Sequence, residues 1–130
     1  MSTTFSFTKL VVDDLEKMAA FYQAVYGLKQ YDRLQSTIGD EPIDEIMLGT
    51  TDANTGGVIL LQFTERPAPE NGEIILGFMS DDLDGVYERV LASGGRIHAP
   101  IRDEADKPYR VGFVCDPEGH LAEVVQLTGG

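Results

Sequence analysis

Phe7-Thr-Lys-Leu-Val-Val-Asp-Asp-Leu-Glu16 returns 68 residues later (75 − 7) as Ile75-Leu-Gly-Phe-Met-Ser-Asp-Asp-Leu-Asp84. The same offset carries Asp13 onto Asp81, Leu15 onto Leu83, Met18 onto Val86, Tyr22 onto Val90 and Gly27 onto Gly95. Each copy opens on a largely apolar stretch, passes through an Asp-Asp pair and continues with apolar residues three and four apart. That pattern reads as a strand followed by a helix. Two copies of one unit determine the architecture before any single residue is considered.

Working outward from the first copy, Phe5 to Val12 alternates Phe5, Phe7, Lys9 and Val11 against Ser6, Thr8, Leu10 and Val12, a strand with one mostly buried face. Asp13 is placed to cap the helix, with Glu16 at the capping-box position three residues on. Leu15, Met18, Tyr22 and Val25 form the apolar stripe of a helix over Asp14 to Tyr26, and Gly27 supplies the left-handed residue that ends it. Strands are predicted at about Gln30 to Gln35 and Ile43 to Leu48 around a turn at Gly39 to Pro42. Asn54-Thr-Gly-Gly57 makes a further turn before the apolar strand Val58 to Phe63.

The second copy repeats the plan: strand Glu73 to Met79, helix Asp82 to Ala92 closed by Ser93-Gly94-Gly95, then strands near Arg96 to Ile101, Tyr109 to Cys115 and Leu121 to Leu127. Asp116-Pro-Glu-Gly119 is the turn between the last two. The fold class is therefore α+β, with each half reading β-α-β-β-β. Halves of about 60 residues are too small to bury much core alone. The expectation is one domain over 1–130, made of modules at about 5–64 and 73–127 joined by the Pro- and Gly-bearing linker 65–72.

Ten Lys and Arg against 22 Asp and Glu leave a formal charge of −12, which repels phosphate backbones and anionic lipid. No nucleic acid and no membrane surface is expected as a partner. The longest apolar run, Val58 to Leu61, is far short of the ~20 residues of a membrane span. The opening Met-Ser-Thr-Thr-Phe-Ser-Phe-Thr-Lys has no basic stretch followed by an apolar one, so a cytoplasmic location is the expectation. The single cysteine, Cys115, cannot form an intramolecular disulfide and reads as a small buried apolar residue.

Asp13-Asp-Leu-Glu-Lys-Met-Ala-Ala-Phe-Tyr-Gln-Ala-Val-Tyr-Gly-Leu28, Asp81-Asp-Leu-Asp84 and above all Asp116-Pro-Glu-Gly-His-Leu-Ala-Glu-Val124 resemble the vicinal oxygen chelate superfamily. That family includes glyoxalase I, bleomycin-resistance proteins, extradiol dioxygenases, methylmalonyl-CoA epimerase and fosfomycin-resistance transferases. The resemblance covers about residues 5 to 127. It implies paired β-α-β-β-β modules whose curved mixed sheets surround a pocket, commonly completed across a homodimer.

In metal-dependent members of the family the ligands are a His on the first strand of each module and a carboxylate or His late in each module. Carried onto this chain, the two His positions fall on Phe7 and Ile75, related by the 68-residue repeat. The late position of the first module falls on Leu60, or on Leu61 if the preceding turn is one residue shorter. Only Glu123 keeps the ligand type. Phe, Ile and Leu have no donor atoms, whereas catalytic metal sites usually take three protein ligands, so no metal and no cofactor is expected. His98 and His120 sit beside turns and read as surface or structural residues.

In strand Leu121 to Leu127, Leu121, Glu123 and Val125 share a face. If that face lines the pocket, Glu123 stands among aliphatics, where desolvation favours its neutral form and suits it to proton transfer. The other reading is a solvated or ion-paired Glu. Phe7, Leu60, Gln62, Ile75, Tyr109 and Arg110 complete the candidate ligand contacts, with Arg33 a further basic residue on a first-module strand. Two functions follow: a homodimeric, metal-independent binder of a small organic molecule, similar to the bleomycin-resistance group, or a lyase or isomerase using Glu123 as base. The second must replace the several kcal/mol of oxyanion stabilisation that a metal supplies.

Overall fold

The computed structural model describes residues 5–49 and 57–128; of the turn expected at Asn54 to Gly57, all but Gly57 lies outside them. The chain forms two compact units, Met1–Pro69 and Glu70–Gly130. The first runs β1 (Phe7–Val11), α1 (Leu15–Tyr26), β2 (Lys29–Ile38), β3 (Glu41–Gly49) and β4 (Gly57–Phe63). Its sheet has the order β1-β4-β3-β2, with β1 parallel to β4 and the other pairs antiparallel. The second runs β5 (Leu76–Met79), α2 (Leu83–Ala92), β6 (Arg96–Asp103), β7 (Tyr109–Cys115) and β8 (Leu121–Leu127), in the matching order β5-β8-β7-β6. The α+β class with mixed sheets is thus observed.

The first strand of each unit is shorter than its sequence pattern predicts. β1 begins at Phe7 rather than Phe5, with Phe7 opposite Gly57 of its parallel partner β4. β5 begins at Leu76 rather than Glu73, opposite Ala122 in β8. In the other direction, β2 and β3 extend towards each other until only Gly39 and Asp40 join them, with Gly39 at φ 62°. Pro42, expected in that turn, sits inside β3.

The capping residue of α1 is Asp14 and not Asp13. Asp14 is extended (φ −124°, ψ 93°) and its side chain accepts from the Lys17 amide at 3.1 Å. Asp13 instead accepts from the Ala68 amide at 2.6 Å, tying the linker to the strand–helix turn. Asp82 caps α2 in the same way through the Gly85 amide at 3.0 Å, so the working caps keep the repeat offset. Gly27 ends α1 in the left-handed region at φ 71°.

A helix leaves its first amides without intrahelical partners, and here the last strand of each sheet supplies one. Gln62 Oε1 accepts from the Leu15 amide at 3.1 Å, and Gln126 Oε1 accepts from the Leu83 amide at 2.9 Å. These bonds identify the helix-covered face of each sheet. Much of each core lies there: Met18, Tyr22 and Val25 of α1 are buried with Leu10, Ile46, Leu48 and Leu60, and Leu83, Val86 and Val90 of α2 with Val114, Ala122 and Val124.

Tyr87 of α2 closes a gap in the second sheet. Its hydroxyl donates to the Ala99 carbonyl at 2.5 Å and accepts from the Phe113 amide at 3.0 Å, where β6 is irregular against β7. Gly112 makes room, since a Cβ there would lie 2.5 Å from the Tyr87 hydroxyl. Burial pushes the phenol's pKa up, against a smaller opposing effect of the Phe113 amide. A raised folded pKa gives stability that is present below the unfolded value near 10 and is lost as pH rises through the folded one. Tyr87→Phe is expected to cost about 1–3 kcal/mol at neutral pH by orphaning both backbone groups. The variant should also show less loss of stability above about pH 10, read from urea melts at neutral and alkaline pH.

Candidate functional site

Strand alternation and the two Gln caps divide each sheet into a helix-covered face and a face open of helices, on which Ile43, Glu45, Ile59 and Leu61 of the first sheet and Val111 and Cys115 of the second are nonetheless buried. In β8, Gln126, Val124 and Ala122 face α2, which leaves Leu121, Glu123, Val125 and Leu127 on the open side. Glu123 pairs with Gly77 of β5 on one side and Phe113 of β7 on the other. Gly77 carries no side chain, and a Cβ built there would meet nothing within 4 Å. The Glu123 carboxylate therefore has open space beside it and an aromatic ring opposite. It is partly buried, and no hydrogen bond or ion pair reaches it from the described residues.

The surroundings of Glu123 are apolar. Val111 and Cys115 lie on the same face of β7 and are buried. Met79 of β5 is 66% exposed, and Ile75, just ahead of that strand, is 55% exposed. Tyr109 pairs with Leu127 and shares the open face. Arg110, its neighbour, takes the opposite face and approaches Asp84 of α2 at 3.4 Å. Arg110 thus braces the helix and is withdrawn from the ligand contacts expected of it.

In the first unit, Phe7 is on the open face and 52% exposed. Leu60 and Gln62 are not. Leu60 is fully buried on the helix-covered side, and the Gln62 amide is occupied with the α1 cap, so neither is available to a ligand on the open face. The counterpart of Glu123 is Ile59: Lys9 pairs with Ile59 as Gly77 pairs with Glu123, and Lys9 and Gly77 are themselves related by the repeat. A sequence signal for this was available. Ile59-Leu-Leu-Gln-Phe63 aligns with Glu123-Val-Val-Gln-Leu127 at an offset of 64 (123 − 59), because the second module has four fewer residues between its first and last strands.

The positions at which the resemblance implies metal ligands therefore hold Phe7, Ile75, Ile59 and Glu123. One carboxylate and three hydrocarbon side chains do not fit a metal ion. The two histidines lie elsewhere. His98 is exposed on β6. His120 is buried, with Nδ1 2.8 Å from Oδ2 of the buried Asp116, whose Oδ1 also accepts from the Glu118 and His120 amides at 2.9 and 3.0 Å. This pair locks the β7–β8 turn. Arg33, on the helix-covered side, is committed to Asp44 at 2.9 Å and to Glu16; the Asp44 bond first, then Glu16, hold its guanidinium further into the charged range.

Sequence reading missed an ion pair on the open face of the first sheet. Lys9 Nζ lies 2.7 Å from Oε2 of Glu45, whose side chain is 2% exposed. The approach satisfies an ion pair without the direction of a good hydrogen bond. The available clue was a Glu in the apolar phase of β3, between Ile43 and Met47.

The Glyoxalase/Bleomycin resistance protein/Dioxygenase superfamily matches this chain over residues 4–124. A Bacillus subtilis (strain 168) relative, the uncharacterized protein YwbC, is 24% identical over 127 residues, covering 97% of this chain and 99% of its own. Among solved structures, a glyoxalase family protein from Bacillus cereus superposes with a TM-score of 0.86 at 18% identity, over 99% of this chain and 97% of that one. A Glu-to-Gln mutant of the fosfomycin resistance protein FosX from Listeria monocytogenes, in a complex with Mn(II) and a dihydroxypropylphosphonic acid, gives a TM-score of 0.69 at 20% identity, over 98% and 95% of the two chains. At these identities the structures establish a shared fold.

Proposed function

The chain belongs to the Glyoxalase/Bleomycin resistance protein/Dioxygenase superfamily, and from that premise we propose that it binds a small organic molecule against a largely apolar sheet face, without a catalytic metal. The observation that carries this reading is the donor set: Phe7, Ile75 and Ile59 stand where metal ligands would be needed, and Glu123 stands alone. Ile75 and Phe113 supply apolar surface near Glu123 in the second unit, with Tyr109 further along the same face, and Phe7 offers a corresponding apolar surface in the first. No helix among the described residues is long and apolar enough to cross a membrane, and the acidic charge disfavours nucleic acid.

A second reading is favoured by the space beside Gly77: Glu123 acts as a proton-transfer base for a lyase or isomerase step. Among the described residues, the candidate oxyanion partners named from the sequence are engaged elsewhere or distant from it. Arg33 and Arg110 are committed to carboxylates and Gln62 to a helix cap. Tyr109, paired with Leu127, is four strand residues from Glu123, about 13 Å along the sheet. Binding is therefore preferred over catalysis.

Native mass spectrometry of protein purified without added metal tests the main reading. A co-purifying small molecule and no stoichiometric metal is the expected result; a stoichiometric divalent ion lost on Glu123→Gln would overturn it. The same protein is proposed to be a homodimer, since Phe7, Ile75, Met79 and Leu127 are large apolar side chains more than half exposed. Sedimentation at micromolar concentration should give a dimer, and a lone species of 14.2 kDa would exclude it.

A further inference from the structure

We propose that Lys9, held in place by Glu45, is a carboxylate-binding subsite on the open face of the first sheet, taking a small organic acid whose apolar body lies against Phe7. This rests on the small-molecule-binding reading above and gives that ligand a chemical class.

β1 and β3 are not neighbours, because β4 lies between them. Lys9 pairs in register with Ile59 and Glu45 with Leu61, so the lysine stem crosses β4 over these two residues to bring Nζ within 2.7 Å of the carboxylate. The span is two strand spacings, about 10 Å. A buried carboxylate is costly without a partner, and a strap of this kind is not needed to close the sheet. The counterpart positions in the second unit hold Gly77 and Val111, where the same strand order closes with no charge at all.

What the pair achieves is to place a cation. An ammonium group has three donors, and the 2.7 Å approach to Glu45 fixes where the charge sits without spending a well-directed donor. The Lys9 side chain remains 36% exposed beside the buried Ile59, Leu61 and Glu45, which leaves it accessible to a second partner. The Phe7 ring, with its centroid 5.8 Å from Nζ, stands beside it as an exposed flat wall. A fixed donor next to an aromatic surface fits an oxyanion attached to an apolar body. A cationic ligand would have to displace Lys9 from the buried Glu45. The chain's charge of −12 opposes any anion at long range, so a carboxylate is held here only by direct contact with Nζ.

The test is an NMR titration of the ¹⁵N-labelled full chain with benzoate, and with benzyl alcohol and benzylamine as neutral and cationic analogues. Benzoate alone should shift the Lys9 side chain and the Phe7 and Leu10 amides saturably. Lys9→Met should weaken benzoate by at least about tenfold, one decade in dissociation constant. Because Lys9→Met leaves a carboxylate buried without its cation, a second variant combines it with Glu45→Val, the residue type of the counterpart position. That double variant is expected to stay folded and lose benzoate. Equal benzoate binding by the double variant, or no saturable shift in the natural protein, overturns the subsite and leaves the pair as a strap across β4. If native mass spectrometry then shows a co-purified molecule that the double variant retains, the subsite falls while the binding reading stands; absence of both ends both.

Discussion

Glu123→Gln is expected to leave the fold and any ligand affinity nearly intact while lowering turnover by about 10²-fold or more, the usual scale of general acid–base assistance, if the chain is a catalyst. The substitution keeps the size and shape of the side chain, and no partner among the described residues is broken by it. Gly77, opposite on β5, leaves the amide the same space as the carboxylate. Parallel measurement of binding and rate separates the two functions. An unchanged rate removes Glu123 as base, and ligand binding with no turnover in either form makes it a contact in a binding protein.

Asp116→Ala is expected to destabilise the chain by about 3–5 kcal/mol, the range for breaking one side of a buried charged or strongly hydrogen-bonded pair. The carboxylate is buried and meets His120 Nδ1 and the Glu118 and His120 amides, so its loss strands three groups at once. His120→Ala removes only one of these contacts and should cost less. Both are read from urea midpoints at constant slope. An effect of Asp116→Ala below about 1 kcal/mol would show that the turn is held by Gly119, at φ 92°, and by the strands alone.

The local elements were legible in the sequence because their causes are local. The apolar stripe Leu15, Met18, Tyr22 and Val25 gives α1, Gly27 ends it, and Asp116-Pro-Glu-Gly119 turns the chain between β7 and β8. The repeat of Phe7–Glu16 at Ile75–Asp84 foretold two units of one plan, and both sheets have the same strand order. Cap identity was legible only to within one residue. Asp13 and Asp14 offer the same chemistry, and the choice depends on Ala68, 55 residues away, which occupies Asp13.

The site was less legible for a different reason. Alternation along a strand tells which residues share a face, not which face a helix will cover, since that phase is set by packing between distant elements. Leu60, Gln62 and Arg110 fell on the covered side because α1 and α2 pack there, and Ile59 took the place assigned to Leu60. Lys9 and Glu45 lie on strands separated by a third strand, so their pairing exists only once β4 is inserted between them. The sequence by itself determined the elements, their duplication and the presence of side chains without donor atoms at Phe7 and Ile75. Tertiary structure alone decided which side chains face outward and which charges meet, because both follow from contacts that no local pattern encodes.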